Sequence, residues 1–261
     1  MYKTIVTAGC SYVQNSYTDK LRQTDEEIAQ CRSNAQYYTS TFGHKLAQLL
    51  NAEFINLAKA GSSIEAIVWQ VTQWLSYLPS NDSLLIIGIT HTNIVNLSHP
   101  YQRYKLTPKF KDGLTPFCLG KPSNIENEYT EFFSDYLTKE EYTSFISTYW
   151  KYFADLERMT FNDVYRLVTL QAYLNKLQVP HIFIDITGHG DFITKGDNWG
   201  YYLDNIFQFN DNITAWKEYI HSYDKRYNNG HPIQSDHHLL GELLYKFLYS
   251  ENFSQQFSQD R

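Results

Sequence analysis

A chain of 261 residues, 43% of them apolar and 16% aromatic, carries enough apolar surface for one well-buried α/β domain and gives no grounds for a second. A formal charge of −6 with no basic block argues against nucleic acid or an anionic membrane surface as the main partner. Three cysteines, Cys10, Cys31 and Cys118, are odd in number and widely spaced, so they read as reduced thiols and suggest neither a disulfide framework nor a metal site.

Lys3 to Ala8 reads as a short buried strand, and Gly9-Cys10-Ser11-Tyr12 breaks it off at once. A serine there sits at the carboxyl end of a strand, the edge where open α/β sheets bind ligands. Residues 14 to 36 are polar, hold Asp25, Glu26 and Glu27, and show no apolar period, which suits a surface loop or short helix in the position of a lid. Tyr38, Phe42, Leu46, Leu49 and Leu50 recur at helical spacing, and Glu53 to Leu57 follow as a second strand. Gly61-Ser62-Ser63 opens a helix whose Ile64, Ile67, Val68, Val71, Trp74, Leu75 and Leu78 form one broad apolar face before Pro79. Ser83 to Gly88 is a third strand, apolar on both faces as a central parallel strand should be.

Residues 98 to 137 break this rhythm with Pro100, Pro108, Pro116 and Pro122 and many aromatics, an insertion longer than an ordinary connection. Thr138-Lys139-Glu140-Glu141 is a capping box that starts a long helical region, with a break expected near Thr160. Pro180 to Ile186 is a fourth strand and Asn205 to Phe209 a weak fifth. Gly230-His231-Pro232 then precedes a terminal helix with Leu240, Leu243, Leu244, Phe247 and Leu248 on its core face; Asp236 is expected as its N-cap, with His237 and His238 in its first turn. There is no charged leader followed by a long apolar stretch, and no apolar run approaches the roughly 20 residues that span a bilayer. A soluble, cytoplasmic protein is expected, a virion-associated location remaining open.

Taken in order, these blocks resemble the SGNH, or GDSL-type, hydrolase superfamily, including SGNH-like proteins of bacteria and their viruses. Gly9-Cys10-Ser11 resembles the Gly-Asp-Ser block, and Asn56 to Gly61 the block whose glycine N–H joins the oxyanion hole. Gly88-Ile89-Thr90-His91 stands where the family has Gly-x-Asn-Asp, and Asn228-Asn229-Gly230-His231 where it has Asp-x-x-His. The resemblance implies one domain over residues 1–261: a flavodoxin-like three-layer α/β/α sandwich with a parallel sheet of four to five strands and an aromatic-rich insertion, about 98–137, after the third strand. It implies Ser11 as nucleophile, His231 as base and Asn228, in place of the usual aspartate, orienting the imidazole, with Asp224 or Asp236 as nearby substitutes. Gly61 would supply an oxyanion N–H, and Thr90 or a shifted Asn93 the donor that the family's asparagine provides.

The chemistry implied is acyl transfer through a covalent serine intermediate, by an esterase or acyltransferase acting on an O-acyl ester, with no metal and no cofactor. The expected partner is a small-molecule or saccharide ester, since 22 tyrosines and five tryptophans suit carbohydrate stacking. The same aromatics on a scaffold with altered blocks also suit a non-catalytic binding or structural module. Each residue has a plainer reading: Ser11 as a helix cap, His231 as a turn residue, Gly61 as a packing glycine, Asn93 as a cap. A metal site built from His189, His231, Asp236, His237 and His238 is disfavoured, because adjacent residues in a helix do not chelate as an i, i+4 pair does.

Overall fold

A computed structural model describes residues 2–14, 41–58, 62–76, 82–90, 94–98, 114–118, 138–152, 156–186, 203–210, 213, 215–224 and 232–249. Strand β1 (Thr4–Ala8) is followed by a single turn of helix, α1 (Ser11–Gln14), then α2 (Phe42–Leu50), β2 (Glu53–Asn56), α3 (Ile64–Leu75) and β3 (Ser83–Ile89). A hairpin, β4 (Ile94–Ser98) and β5 (Leu114–Cys118), precedes two helices, α4 (Lys139–Tyr152) and α5 (Leu156–Lys176). Strand β6 (His181–Asp185), α6 (Trp216–Tyr223) and α7 (Gln234–Leu248) complete the order.

Four strands form a parallel sheet in the order β2-β1-β3-β6. All seven residues of β3 and all five of β6 are buried, which is why both read as unbroken apolar runs. Alternation along the strands sends Ile5, Leu84, Ile86, Ile182 and Ile184 to a layer made by α2, α6 and α7. Val6, Leu85, Ile87 and Phe183 go to a layer made by α3 and α5. The result is three layers, helices covering both faces of the sheet. Each fully buried aliphatic side chain contributes about 1.5–3 kcal/mol, so these two clusters hold the layers together.

The fifth strand is reduced to its pairing. Phe183 N–H donates to Asn205 O and Phe207 N–H to Phe183 O, both at 2.8 Å, and a parallel bridge at Ile206 covers the outer edge of β6 without continuing. Two other expectations are corrected. The helical region from 138 does not break near Thr160, through which α5 runs; residues 153–155, between α4 and α5, lie outside the described residues. The Pro-rich insertion holds an antiparallel ribbon that begins at Ile94, before the expected boundary, with Pro116 opposite Asn96. A two-stranded ribbon tolerates proline because it is all edge. Helix α6 went unread, although Trp216, Tyr219, Ile220 and Tyr223 carry its helical spacing. The expected lid, residues 14 to 36, lies outside the described residues except at Gln14.

Caps were legible. Thr41 Oγ1 accepts the His44 N–H, Ser63 Oγ accepts the Ala66 N–H at 3.1 Å, and Thr138 and Glu141 exchange the two bonds of a capping box. Asp236 is corrected: it is the third residue of α7, not its N-cap, and its Oδ2 accepts the Ile233 N–H at 2.8 Å from inside the helix.

The direction of α2 fixes the ends of the molecule. A Cβ on Gly43 would lie 2.5 Å from Thr7 Cγ2, so the first turn of α2 rests on the carboxyl end of β1. His237 Nδ1 accepts the Phe42 N–H at 3.3 Å, which brings the first turn of α7 to the same end. The His237 ring is fully buried, stacks on Phe42 with 9° between planes, and meets Trp216 edge-on at 4.9 Å. It is a structural residue that supplies a cap from another helix. His237→Ala should therefore destabilise the fold by about 2–4 kcal/mol in chemical denaturation, through a cavity and an uncapped N–H; an unchanged midpoint would contradict this role.

A buried carboxyl lies between α3 and α5. Asp163 Oδ1 meets Arg166 Nη1 at 3.1 Å, and Arg166 Nη2 meets Glu65 Oε2 at 3.4 Å. Burial pushes the Asp163 carboxyl up to about 7, Arg166 opposing and Glu65 reinforcing the shift. Because its folded pKa lies above the unfolded value, the stability it contributes is complete below about pH 4 and is lost as pH rises through about 7. Between pH 5 and pH 8 the wild type should lose roughly 1–3 kcal/mol relative to Asp163→Asn, measured by urea unfolding at both pH values. Parallel pH profiles for the two proteins would contradict the shift.

Candidate active site at the carboxyl edge of the sheet

Three adjacent strands end together. The register pairs Thr7 with Asn56 and Ala8 with Ile87, so the segments after β1, β2 and β3 leave the sheet side by side. Ser11 is the first residue of α1, directly beyond β1. This close start depends on two glycines. A Cβ on either Gly9 or Gly88 would collide with Val13 Cγ2, and one on Gly9 would also lie 2.9 Å from Val13 Cβ. Without those side chains, Val13 drops between β1 and β3 and α1 begins within three residues of Ala8.

Polar bonds tie the neighbouring segments to this turn. The Gly9 N–H donates to Gln70 Oε1 at 3.3 Å, and Gln70 Nε2 donates to Ser62 Oγ at 2.8 Å, all of it buried. Gln70 thus links the turn that carries Ser11 to the residue after Gly61. Asn56 Oδ1 accepts from Thr7 Oγ1 and from the Ala58 N–H, both at 3.0 Å, and holds the exit of β2 against β1.

Cys10 is a second anchor. Its side chain is buried, and its carbonyl oxygen accepts the Val13 N–H at 3.0 Å at the start of α1. Burial pushes the thiol up, with the Thr90 side chain and the first N–H groups of α1 opposing in part, so Cys10 stays protonated and is no rival nucleophile. Thr90, 1% exposed, is in place after β3.

On the α2, α6 and α7 side, the Lys217 N–H donates to Ile186 O at 3.2 Å and the Lys217 ammonium lies 5.4 Å from the centroid of the Tyr12 ring. Tyr223 Oη donates to Asp236 Oδ1 at 2.8 Å, fastening the end of α6 to the first turn of α7. With Oδ2 on Ile233 and Oδ1 on Tyr223, Asp236 serves the approach to α7. Asn228 and His231 fall between these two helices in sequence and, with Gly61 and Asn93, lie outside the described residues. The contact of His181 Nε2 with Asn205 Nδ2, 3.5 Å, is at the opposite, amino edge of the sheet. Among the described residues no three His, Cys, Asp or Glu side chains gather as a metal site, and no helix is long and apolar enough to cross a membrane.

Three contributors were missed in the sequence. Gln70 had a signal, a polar residue on the buried face between Ile67 and Val71. Lys217 had none beyond its helix, and Cys10 none beyond its adjacency to Ser11.

No family model matches the chain, and no curated protein matches it. Among solved structures it has distant similarity to a carbohydrate esterase whose active site is described as displaying divergent catalytic and non-catalytic binding functions, at 16% identity and a TM-score of 0.42, over 95% of this chain and 69% of that one. It has weaker similarity to a protein described as of the G-D-S-L lipolytic family from Desulfitobacterium hafniense DCB-2, at 9% identity and a TM-score of 0.30, over 94% of this chain and 98% of that one. Both likenesses are too low to assign an activity.

Replacing Gln70 by Leu should cost about 1–3 kcal/mol, because the buried Gly9 N–H loses its acceptor while the volume is kept. Chemical denaturation of the variant reads this directly; a stability equal to wild type would show that the bond does not clamp the turn.

Proposed function

We propose that the chain is a serine esterase or acyltransferase of the SGNH type, with a flavodoxin-like sheet, acting on O-acyl esters of a small molecule or saccharide. The observation that carries this reading is the Gly9–Gln70–Ser62 chain of hydrogen bonds, which ties the turn leading into Ser11 to Ser62, the residue after Gly61 in the chain. The strand order β2-β1-β3-β6 supports the topology, and the matching ends of β1, β2 and β3 support a shared site.

In this mechanism Ser11 Oγ attacks the acyl carbonyl as its proton passes to His231, held in the right tautomer by Asn228. The oxyanion takes the N–H groups of Ser11 and Gly61, with Thr90 or Asn93 as a side-chain donor. Collapse breaks the ester C–O bond, and the leaving alcohol takes the proton from His231. Water, or an acceptor hydroxyl, then gives its proton to His231 as its oxygen attacks the acyl-serine, and Ser11 regains a proton as it departs. Loss of one side-chain oxyanion donor costs about 2.7–4 kcal/mol, so how well Thr90 or Asn93 replaces the family's asparagine sets the rate of turnover.

A second reading, a binding module of SGNH-like fold, rests on the altered blocks, since Thr90 and Asn228 stand where the family has an asparagine and an aspartate. A fluorophosphonate probe separates the two. Under the catalytic reading it labels Ser11, Ser11→Ala abolishes labelling, and His231→Ala lowers ester turnover by roughly a thousandfold or more. A folded wild type that is neither labelled nor active on short-chain esters is the outcome for the binding module.

A further inference from the structure

Lys217 is a cation where the fold asks for none. It is the second residue of α6, the end at which a helix macrodipole disfavours positive charge. Burial withdraws its ammonium from water and pushes its pKa below the ordinary lysine range. Among the described residues no carboxylate pairs with it. Among the described residues its ammonium lies over the Tyr12 ring and within electrostatic reach of the Cys10 side chain, the two residues that flank Ser11 in the chain. Its backbone is fixed by the bond to Ile186 O and by the fully buried Trp216 beside it, so the side chain starts from a rigid point at the carboxyl edge.

An apolar side chain of the same length would pack on Tyr12 without the cost of a half-desolvated charge that no described carboxylate pairs. Such a charge is useful where it meets an anion only when ligand is bound. A single ammonium with three donors matches one carboxylate; a phosphate dianion calls for a second cation, and none of the described residues beside Lys217 supplies one.

We propose that Lys217 determines specificity at the candidate site by receiving a carboxylate carried on the ester substrate, an inference that rests on the acyl-transfer reading above. Lys217 forms no covalent bond and exchanges no proton in the reaction. It holds one end of the substrate while Ser11 acts on the other, so its effect falls on the binding of anionic esters and spares neutral ones.

The test compares ethyl acetate with monoanionic monoethyl succinate, followed by acid release, because an alkyl leaving group keeps the succinate carboxylate from cleaving its own ester. Lys217→Met, which keeps the stem over Tyr12, should raise KM for the succinate ester about tenfold or more with kcat nearly unchanged, and leave the acetate ester within about twofold. Lys217→Arg should recover most of the affinity. Succinate itself, titrated by calorimetry into Ser11→Ala protein, should bind, and binding should be lost when Lys217→Met is added. Equal losses on both esters, no loss on either, or succinate binding indifferent to Lys217→Met would each overturn the proposal. Should the wild type hydrolyse neither ester, the acyl-transfer reading falls, while Lys217-dependent succinate binding would still sustain the carboxylate site and its absence would overturn that too.

Discussion

Everything at the carboxyl edge depends on the room left by two missing side chains. Gly9 and Gly88 lie opposite Val13, and a Cβ on either would occupy the space that Val13 fills. Because Val13 seats there, α1 starts at once, Ser11 stays at the strand end, and the Cys10 side chain is buried. A bulkier residue at either glycine would push α1 outward and take Ser11 away from the segments that leave β2 and β3.

The rest of the site is held by bonds that cross the sheet layers. Gln70 reaches from α3 to the Gly9 N–H, and His237 reaches from α7 to the Phe42 N–H. Each bond satisfies a buried donor, where an unmade bond costs more than a made one gains. The two helix layers are therefore registered to the same end of the sheet by polar contacts, while the apolar clusters supply most of the energy without fixing the register.

Much of this was legible from the chain. The parallel strands β1, β3 and β6 are apolar runs, and α3 announces itself by the Ser63 cap and a stripe from Ile64 to Leu75. Local signals sufficed there because the stabilising contacts follow the local period. They failed where tertiary contact assigns the role. The Gln70 and His237 bonds span 61 and 195 residues, so no window on the sequence shows them. Asp236 was read as a cap from its type alone, yet its place one turn inward lets it serve both Ile233 and Tyr223. The ribbon β4–β5 was hidden because prolines outweighed the short apolar run from Ile94 to Leu97. Of the proposed site, Ser11 and Thr90 stand at the strand ends where the blocks put them; Cys10 and Lys217 were found only by their contacts.

The proposed acyl-transfer site requires the turn after β1 and the segment before α7 to meet. A crystal structure of the wild-type protein measures this as the distance from Ser11 Oγ to the nearer ring nitrogen of His231. Hydrogen-bond reach is expected, about 2.6–3.2 Å and somewhat looser without substrate, with the other nitrogen facing Asn228. A His231 ring turned to solvent or packed against another element, with Ser11 Oγ bonded only to its own helix, would contradict it.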